Sequence, residues 1–281
     1  MSRLFLALYA ALVLLPAGLA AQAGRTVRIL VYTKNGPGYV HRNTPAAVAA
    51  IRKLGREHGM LVDATDDPAW FTEARLARYT LLLFASTTND VFDTNGQRLA
   101  LRRYIEAGGG FVGLHSVADT ERGWTWFRQM VGATFAWHPP FQTLRLKRLD
   151  PIHPSVRDLP EAWSKRDELY FLKDIGAGIT VVLAHDLTSA IAGDKTRIRQ
   201  LSAPYRDAYP AAWHHRFEGG RIWITTLGHD TSDYTDETYL KLVLGGIRFV
   251  AGESRGPDFG KAYATRHDAP VRSAPPSPGG T

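Results

Sequence analysis

Short apolar runs alternate along the first half of the chain with stretches whose apolar residues recur every three or four positions, the pattern of strands followed by helices. Val27, Ile29 and Val31 mark a first strand, and Thr44-Pro45 offers an N-cap and a proline suited to a first helical turn. Val48, Ile51 and Leu54 then repeat at helical spacing up to Gly59, a fitting C-terminus. Leu61 to Ala64 predicts a second strand, followed by a turn at Asp67-Pro68 and a short helix from Thr72. The run from Thr80 to Phe84 is apolar from Leu81 on, as expected of a strand buried on both faces. Thr94 caps a further helix carrying Leu99, Leu101 and Ile105 and ending at Gly108, and Phe111 to Leu114 is a fourth strand. Strands and helices in this alternation imply right-handed crossovers and a doubly wound α/β sheet.

The pattern changes from Gln142 onward. Strand-like pieces at 142–148, 179–183, 211–217 and 221–226 follow one another, the last two joined across Gly219-Gly220 as a hairpin. The expected fold class is therefore α/β, with a doubly wound, mainly parallel sheet carrying antiparallel additions. A last helix, from about Asp236 to Ala251, presents Leu240, Val243, Leu244, Ile247 and Val250 on one face.

The ends read differently from this body. Arg3, the apolar run Leu4 to Leu15 and the small-x-small triplet Ala21-Gln22-Ala23 form the pattern of a signal peptide over 1–23, cleaved near Gly24 and directing the chain to the periplasm or outside the cell. The run is shorter than the ~20 apolar residues a bilayer span needs. No later stretch approaches that length, so no integral membrane domain is expected; an uncleaved N-terminal anchor is the alternative for the leader. Residues 253–281 lose apolar periodicity and finish in a Pro/Gly/Ser-rich segment, which predicts a disordered tail. One domain over about 25–252 remains, large enough for a single core.

Composition narrows the chemistry. The 281 residues contain no cysteine, which removes disulfides, thiolate metal sites and cysteine nucleophiles together. The net charge of +7 is spread along the chain instead of being gathered into a basic stripe, so no nucleic-acid partner is expected.

Open α/β sheets bind ligands beyond the carboxyl ends of their strands. Four such ends carry polar residues: Tyr32 to Arg42, including His41; Ser86 to Asp90; His115 to Thr120, including Ser116 and Asp119; and Gly228 to Tyr234, including His229, Asp230 and Asp233. The first loop has neither the GxGxxG spacing of a dinucleotide fold nor the Gly-Lys-Ser/Thr of a P-loop. Gly113-Leu114-His115 has the form of a strand-to-helix elbow that displays one polar residue above the sheet.

That elbow, with the strand order and the buried 81–84 strand, resembles the class I glutamine amidotransferase-like (flavodoxin-like) fold, in which the turn carries a cysteine. Here the position is His115, and glutamine hydrolysis by a cysteine is excluded. Within that superfamily the chain resembles the ThuA-like, or trehalose utilisation, family. The matching pieces are Val40-His41-Arg42, GGFVGLHS at 109–116, WHPP at 137–140, DPIHP at 150–154 with Leu159-Pro160, Asp167-Glu168-Leu169-Tyr170, PAAW at 210–213, GRIWITTLGH at 220–229 and LGGIRFVAG at 244–252. The resemblance implies a bacterial role in disaccharide or keto-sugar metabolism, with a small-molecule carbohydrate as partner.

Three readings of the polar residues follow. His115 and His229, helped by Asp119, could carry acid/base catalysis on a sugar, since imidazole titrates near neutral pH. His41, Ser116, His138, Glu168, Asp230 and Tyr234 would then bind the substrate, with Trp124 and Trp137 as platforms for the apolar faces of sugar rings. Alternatively His115, His138 and His229 could hold a zinc ion with one position open, as in a metal-dependent hydrolase. The third reading is a non-catalytic carbohydrate-binding or sensory module, with histidines that merely hydrogen-bond loop backbone. His153, between prolines, is expected to serve its loop, and of His214 and His215 one faces inward.

Overall fold

The structure, a computed structural model, describes residues 26–252 and 256–272; the expected leader over 1–23 and its cleavage point lie outside the described residues. Five strands form the parallel half of the main sheet: β1 (Arg28–Tyr32), β2 (Leu61–Thr65), β3 (Leu81–Ala85), β4 (Gly110–Leu114) and, much later, β11 (Gly220–Thr225). Helices α1 (Thr44–Glu57), α2 (Glu73–Leu76) and α3 (Asn95–Glu106) connect the first four, and α6 (Glu237–Ala251) follows β11.

Period-two alternation assigns the two faces of these strands. Ile29, Val31, Leu81, Leu83, Val112 and Leu114 share one apolar cluster with α1 and α6. Leu30, Tyr32, Leu82, Phe84 and Phe111 share the other with α3 and with α4 (Thr125–Val131). Burial on both sides explains why these strands read as unbroken apolar runs.

The antiparallel half comprises β6 (Gln142–Arg148), β7 (Trp163–Asp167), β9 (Thr180–Asp186) and β10 (Ala208–Phe217). The nine-stranded order is β2-β1-β3-β4-β11-β10-β9-β6-β7. A separate ribbon pairs β5 (Thr134–Trp137) with β8 (Phe171–Lys173), and α5 (Lys195–Ser202) lies before β10.

Helix starts follow from capping chemistry. Thr94 and Gln97 form a reciprocal capping box at α3, with Gln97 N–H donating to Thr94 Oγ1 at 3.3 Å and Thr94 N–H to Gln97 Oε1 at 3.1 Å. At α1 the expected cap Thr44 is instead the first helical residue, and Asn43 precedes it. The Asn43 amide is drawn away from the helix end to donate to the Gly228 and His229 carbonyls at 2.6 and 3.1 Å, tying the loop after β1 to the loop after β11.

The expected disordered tail is corrected over 256–272. This segment runs across α3 because that helix buries two charges which need partners. Arg102, fully buried, donates to the carbonyls of His267, Ala269 and Pro270. Glu106 accepts the N–H groups of Tyr263 and Ala264, both at 2.9 Å. Arg102 and Glu106 pair with each other at 2.9 Å, and the strap's backbone supplies the further hydrogen bonds that buried ions require.

Candidate functional site

Four strand ends and one ribbon converge at the carboxyl edge of the parallel sheet. His115 follows β4 and opens the 3-10 turn His115–Asp119 with φ +55°, a left-handed conformation that a non-glycine residue adopts at some cost. Its ring is fully buried, and its Nδ1–H donates to the Thr226 carbonyl at 3.0 Å. A carbonyl only accepts, so this bond fixes the tautomer and leaves a lone pair on Nε2. Around that Nε2 lie Tyr170 Oη at 3.3 Å, His229 Nδ1 at 3.2 Å and Glu168 Oε2 at 3.7 Å.

His229, from the loop after β11, sets its Nδ1 3.1 Å from Glu168 Oε2. Glu168 comes from the end of β7, at the far edge of the sheet. His41, from the loop after β1, crosses the His115 ring edge to face with centroids 4.5 Å apart, and its Nδ1 lies 3.4 Å from Ser116 Oγ. His138, just past β5, stands at the rim with Nε2 3.6 Å from Glu168 Oε1 and its ring stacked over Tyr170.

One carboxylate underlies this assembly. Asp167 accepts the Glu168 N–H at 2.9 Å and the His229 N–H at 3.3 Å on Oδ1, and the Gly228 N–H at 2.9 Å on Oδ2. Lys165 pairs with Asp167 at 3.0 Å and with Asp233. Gly228 has φ +111°, and a Cβ there would meet the Tyr239 hydroxyl, so this turn requires glycine.

The electrostatics divide the imidazoles. His41 is pushed down to about 4 by burial and by the neighbouring His229, and burial with the His41 charge keeps His115 well below its ordinary value. His229 is raised, chiefly by its hydrogen bond to Glu168. Burial works to lift Glu168, but the His229 bond and the histidine charges outweigh it and bring the carboxyl down to about 2. Burial beside the acidic pair also holds the Tyr170 hydroxyl protonated, its pKa well above the ordinary value. The site thus has a carboxylate, a readily protonated imidazole, two neutral imidazoles and a phenol donor in contact. That set can donate and accept protons on a ligand oxygen.

Of the residues the sequence nominated, His41, His115, Ser116, Glu168 and His229 are brought together, with His138 at the rim. Tyr234 lies beneath, its hydroxyl donating to the Gly228 carbonyl at 3.2 Å. Asp230 caps the turn after His229, bonding Ser232. Asp119 is ion-paired with Arg122. The two tryptophans sit elsewhere. Trp124 is buried against Trp126 and Phe92 and donates to the His267 carbonyl, while Trp137 stacks on Phe171 with Arg197 above it. Cavities of about 640 and 610 Å³ likewise lie away from His41, His115, His138 and His229, the first beside Trp124 and the C-terminal strap, the second beside Arg128 and His215.

A buried His/Glu group in the site could hold a metal, but its members are His41, His115, His229 and Glu168, with donor atoms within 4.8 Å of one another. The expected set of His115, His138 and His229 is corrected accordingly: the His138 ring is over a third exposed and reaches the group only through Glu168. Asp167, Lys165, Tyr170 and Asn43 escaped sequence reasoning. Only the run Asp167 to Tyr170 offered a signal, as a motif without a role.

The model of the ThuA family, described as trehalose utilisation, matches residues 28–250. The chain belongs to this family. No curated protein matches it. Among solved structures, a protein described as ThuA-like from Bacteroides uniformis is similar at 20% identity and a TM-score of 0.65, covering 86% of this chain and 99% of its own. One from Parabacteroides merdae is similar at 16% identity and a TM-score of 0.62, covering 85% and 100%. A β-galactosidase from Bacillus circulans shares the fold at 11% identity and a TM-score of 0.51, over 80% of this chain and 31% of its own. At these identities the likeness of the ThuA chain to its neighbours is one of fold.

Proposed function

We propose that this ThuA protein acts on a carbohydrate by proton transfer at the carboxyl edge of its sheet, with His229 and Glu168 as the proton-carrying pair. His115 Nε2 is the neutral acceptor beside them, and His41, His138 and Ser116 line the approach. The observation that carries this reading is the contact of His229 Nδ1 with both Glu168 Oε2 at 3.1 Å and His115 Nε2 at 3.2 Å. A proton held there can pass to or from a sugar oxygen that reaches the rim through the partly exposed edge of His229. The family's description supports a carbohydrate as the ligand class. The leader pattern at 1–23 supports action in the periplasm or outside the cell.

The test is turnover of a panel of disaccharides and their keto forms by purified protein, followed by proton NMR, with His229→Gln and Glu168→Gln as controls. Conversion that both substitutions abolish supports the reading. Saturable sugar binding without conversion would replace it with the binding-module reading.

A further inference from the structure

His115 and His41 show the same arrangement twice. In His115 the Nδ1–H is committed to the Thr226 carbonyl. In His41, Nδ1 meets Ser116 Oγ at 3.4 Å, and the Ser116 hydroxyl already donates to the Thr87 carbonyl at 3.0 Å, so here too the imidazole is the donor. Both rings are therefore held in the tautomer whose Nε2 carries a lone pair. A histidine whose other nitrogen donates to a carbonyl or hydroxyl is oriented as metal-binding histidines are.

Three inner donor atoms form a triangle: His115 Nε2 to His229 Nδ1 is 3.2 Å, His229 Nδ1 to Glu168 Oε2 is 3.1 Å, and Glu168 Oε2 to His115 Nε2 is 3.7 Å. A tetrahedral ion with bonds of about 2.0–2.1 Å places its ligand atoms about 3.3–3.4 Å apart. The triangle has the size of one face of that tetrahedron, and His41 brings a fourth donor within 4.8 Å of the others. A hydrogen-bonded triad would account for the triangle but gives no part to a second neutral imidazole.

We infer that His41, His115, His229 and Glu168 bind one divalent transition-metal ion of the zinc class. This deepens the reading above, on which it rests for the purpose of the site, and puts the ion where His229 Nδ1, Glu168 Oε2 and His115 Nε2 hold a proton in its absence. Three imidazoles and one carboxylate suit zinc, cobalt or nickel, whereas magnesium and calcium take oxygen sets. Bound there, the ion would act as a Lewis acid on a sugar oxygen that enters as a fifth ligand. Asp167 is a positioning residue for it, because it fixes the backbone of both Glu168 and His229.

The experiment uses the full chain, stripped with a chelator and titrated with Co²⁺ by visible absorption, then with Zn²⁺ in competition. The expected result is stoichiometric Co²⁺ binding with the strong absorption of a four-coordinate ion, displaced by Zn²⁺. His41→Ala and Glu168→Gln should each weaken Co²⁺ binding at least ~10-fold and Asp167→Asn ~10–100-fold, while His138→Ala stays within about twofold. X-ray absorption of the Zn²⁺-loaded natural chain reads the donors without any variant and should show imidazole scattering at about 2.0–2.1 Å. Failure of the natural chain to bind, or binding that neither His41→Ala nor Glu168→Gln alters, overturns the inference. Turnover that survives chelation would then leave the carbohydrate reading standing, and metal binding without any effect on sugars would remove only that reading.

Discussion

His229 donates through Nδ1 to Glu168, although the strands that carry them, β11 and β7, are separated in the sheet by β10, β9 and β6. The antiparallel half must curl back over the carboxyl edge for this contact to form. Register shifts in the β9–β10 ladder between Pro210 and Trp213 mark where the sheet bends. The curl brings a carboxylate from an edge strand onto histidines from the parallel core.

Glu168→Gln replaces the charged acceptor that raises His229 with a neutral amide. The His229 pKa should then fall, because its hydrogen bond to Glu168 is the chief cause of the rise and burial alone lowers it. Imidazole NMR against pH reads this directly. Turnover should drop ~10²–10⁴-fold, the usual cost of losing an acid/base partner.

Asp167→Asn breaks a buried network, leaving Lys165 with only Asp233 and weakening the acceptor for three backbone N–H groups. Removing one partner of a buried ion pair costs about 3–5 kcal/mol. Urea unfolding should show a loss of that order. A loss below about 1 kcal/mol would mean that Asp167 does not hold the loop.

Truncation after Gly252 strips Arg102 of three carbonyl acceptors and Glu106 of two N–H donors. Because both side chains are buried, the truncated chain should lose about 3 kcal/mol or more. Thermal melts of the full and shortened chains decide it. Equal melting temperatures would show the strap to be dispensable.

Trp124→Phe should lower stability without changing sugar handling, since the indole packs on Trp126 and Phe92 and bonds the strap, away from the histidines. A selective loss of sugar affinity would contradict this placement.

Acid should destabilise the fold through His185. This ring is fully buried, has no hydrogen-bond partner on either nitrogen among the described residues, and is pushed by burial to about 4, with Asp167 and Lys165 facing it. Its folded pKa lies below the ordinary 6.5, so protons bind the unfolded chain first. The contribution is intact above about pH 6.5 and is lost as pH falls toward 4, up to about 3 kcal/mol. In the natural chain the unfolding free energy should fall across that window, and His185→Phe should flatten the fall.

The parallel half was legible because burial on both faces leaves unbroken apolar runs, and strands such as Leu81–Ala85 admit no other reading. Strand β7 was not. Its sequence, Trp-Ser-Lys-Arg-Asp, carries three charges, two of which are buried only because Lys165 and Asp167 neutralise each other. Pairing across a fold is invisible to hydrophobic periodicity. The same limit hid the supporting role of Asp167, and it made 256–272 look disordered when buried charges on α3 hold it. The histidines after β4 and β11 were legible from their place at strand ends, whereas the packing of the tryptophans was not, because an aromatic cluster looks alike in a core and in a sugar platform.

The central claim is that His229, Glu168 and His115 form one carbohydrate-handling site, and imidazole NMR of the natural chain during sugar titration tests it most directly. The expected result is saturable movement of the His229 and His115 ring signals, together with His41, at a sugar concentration that leaves His153, His185 and His214 unchanged. Sugar binding that leaves the His229 and His115 signals where they were, or moves instead the signals of His215 and His267 beside the two large cavities, would contradict it.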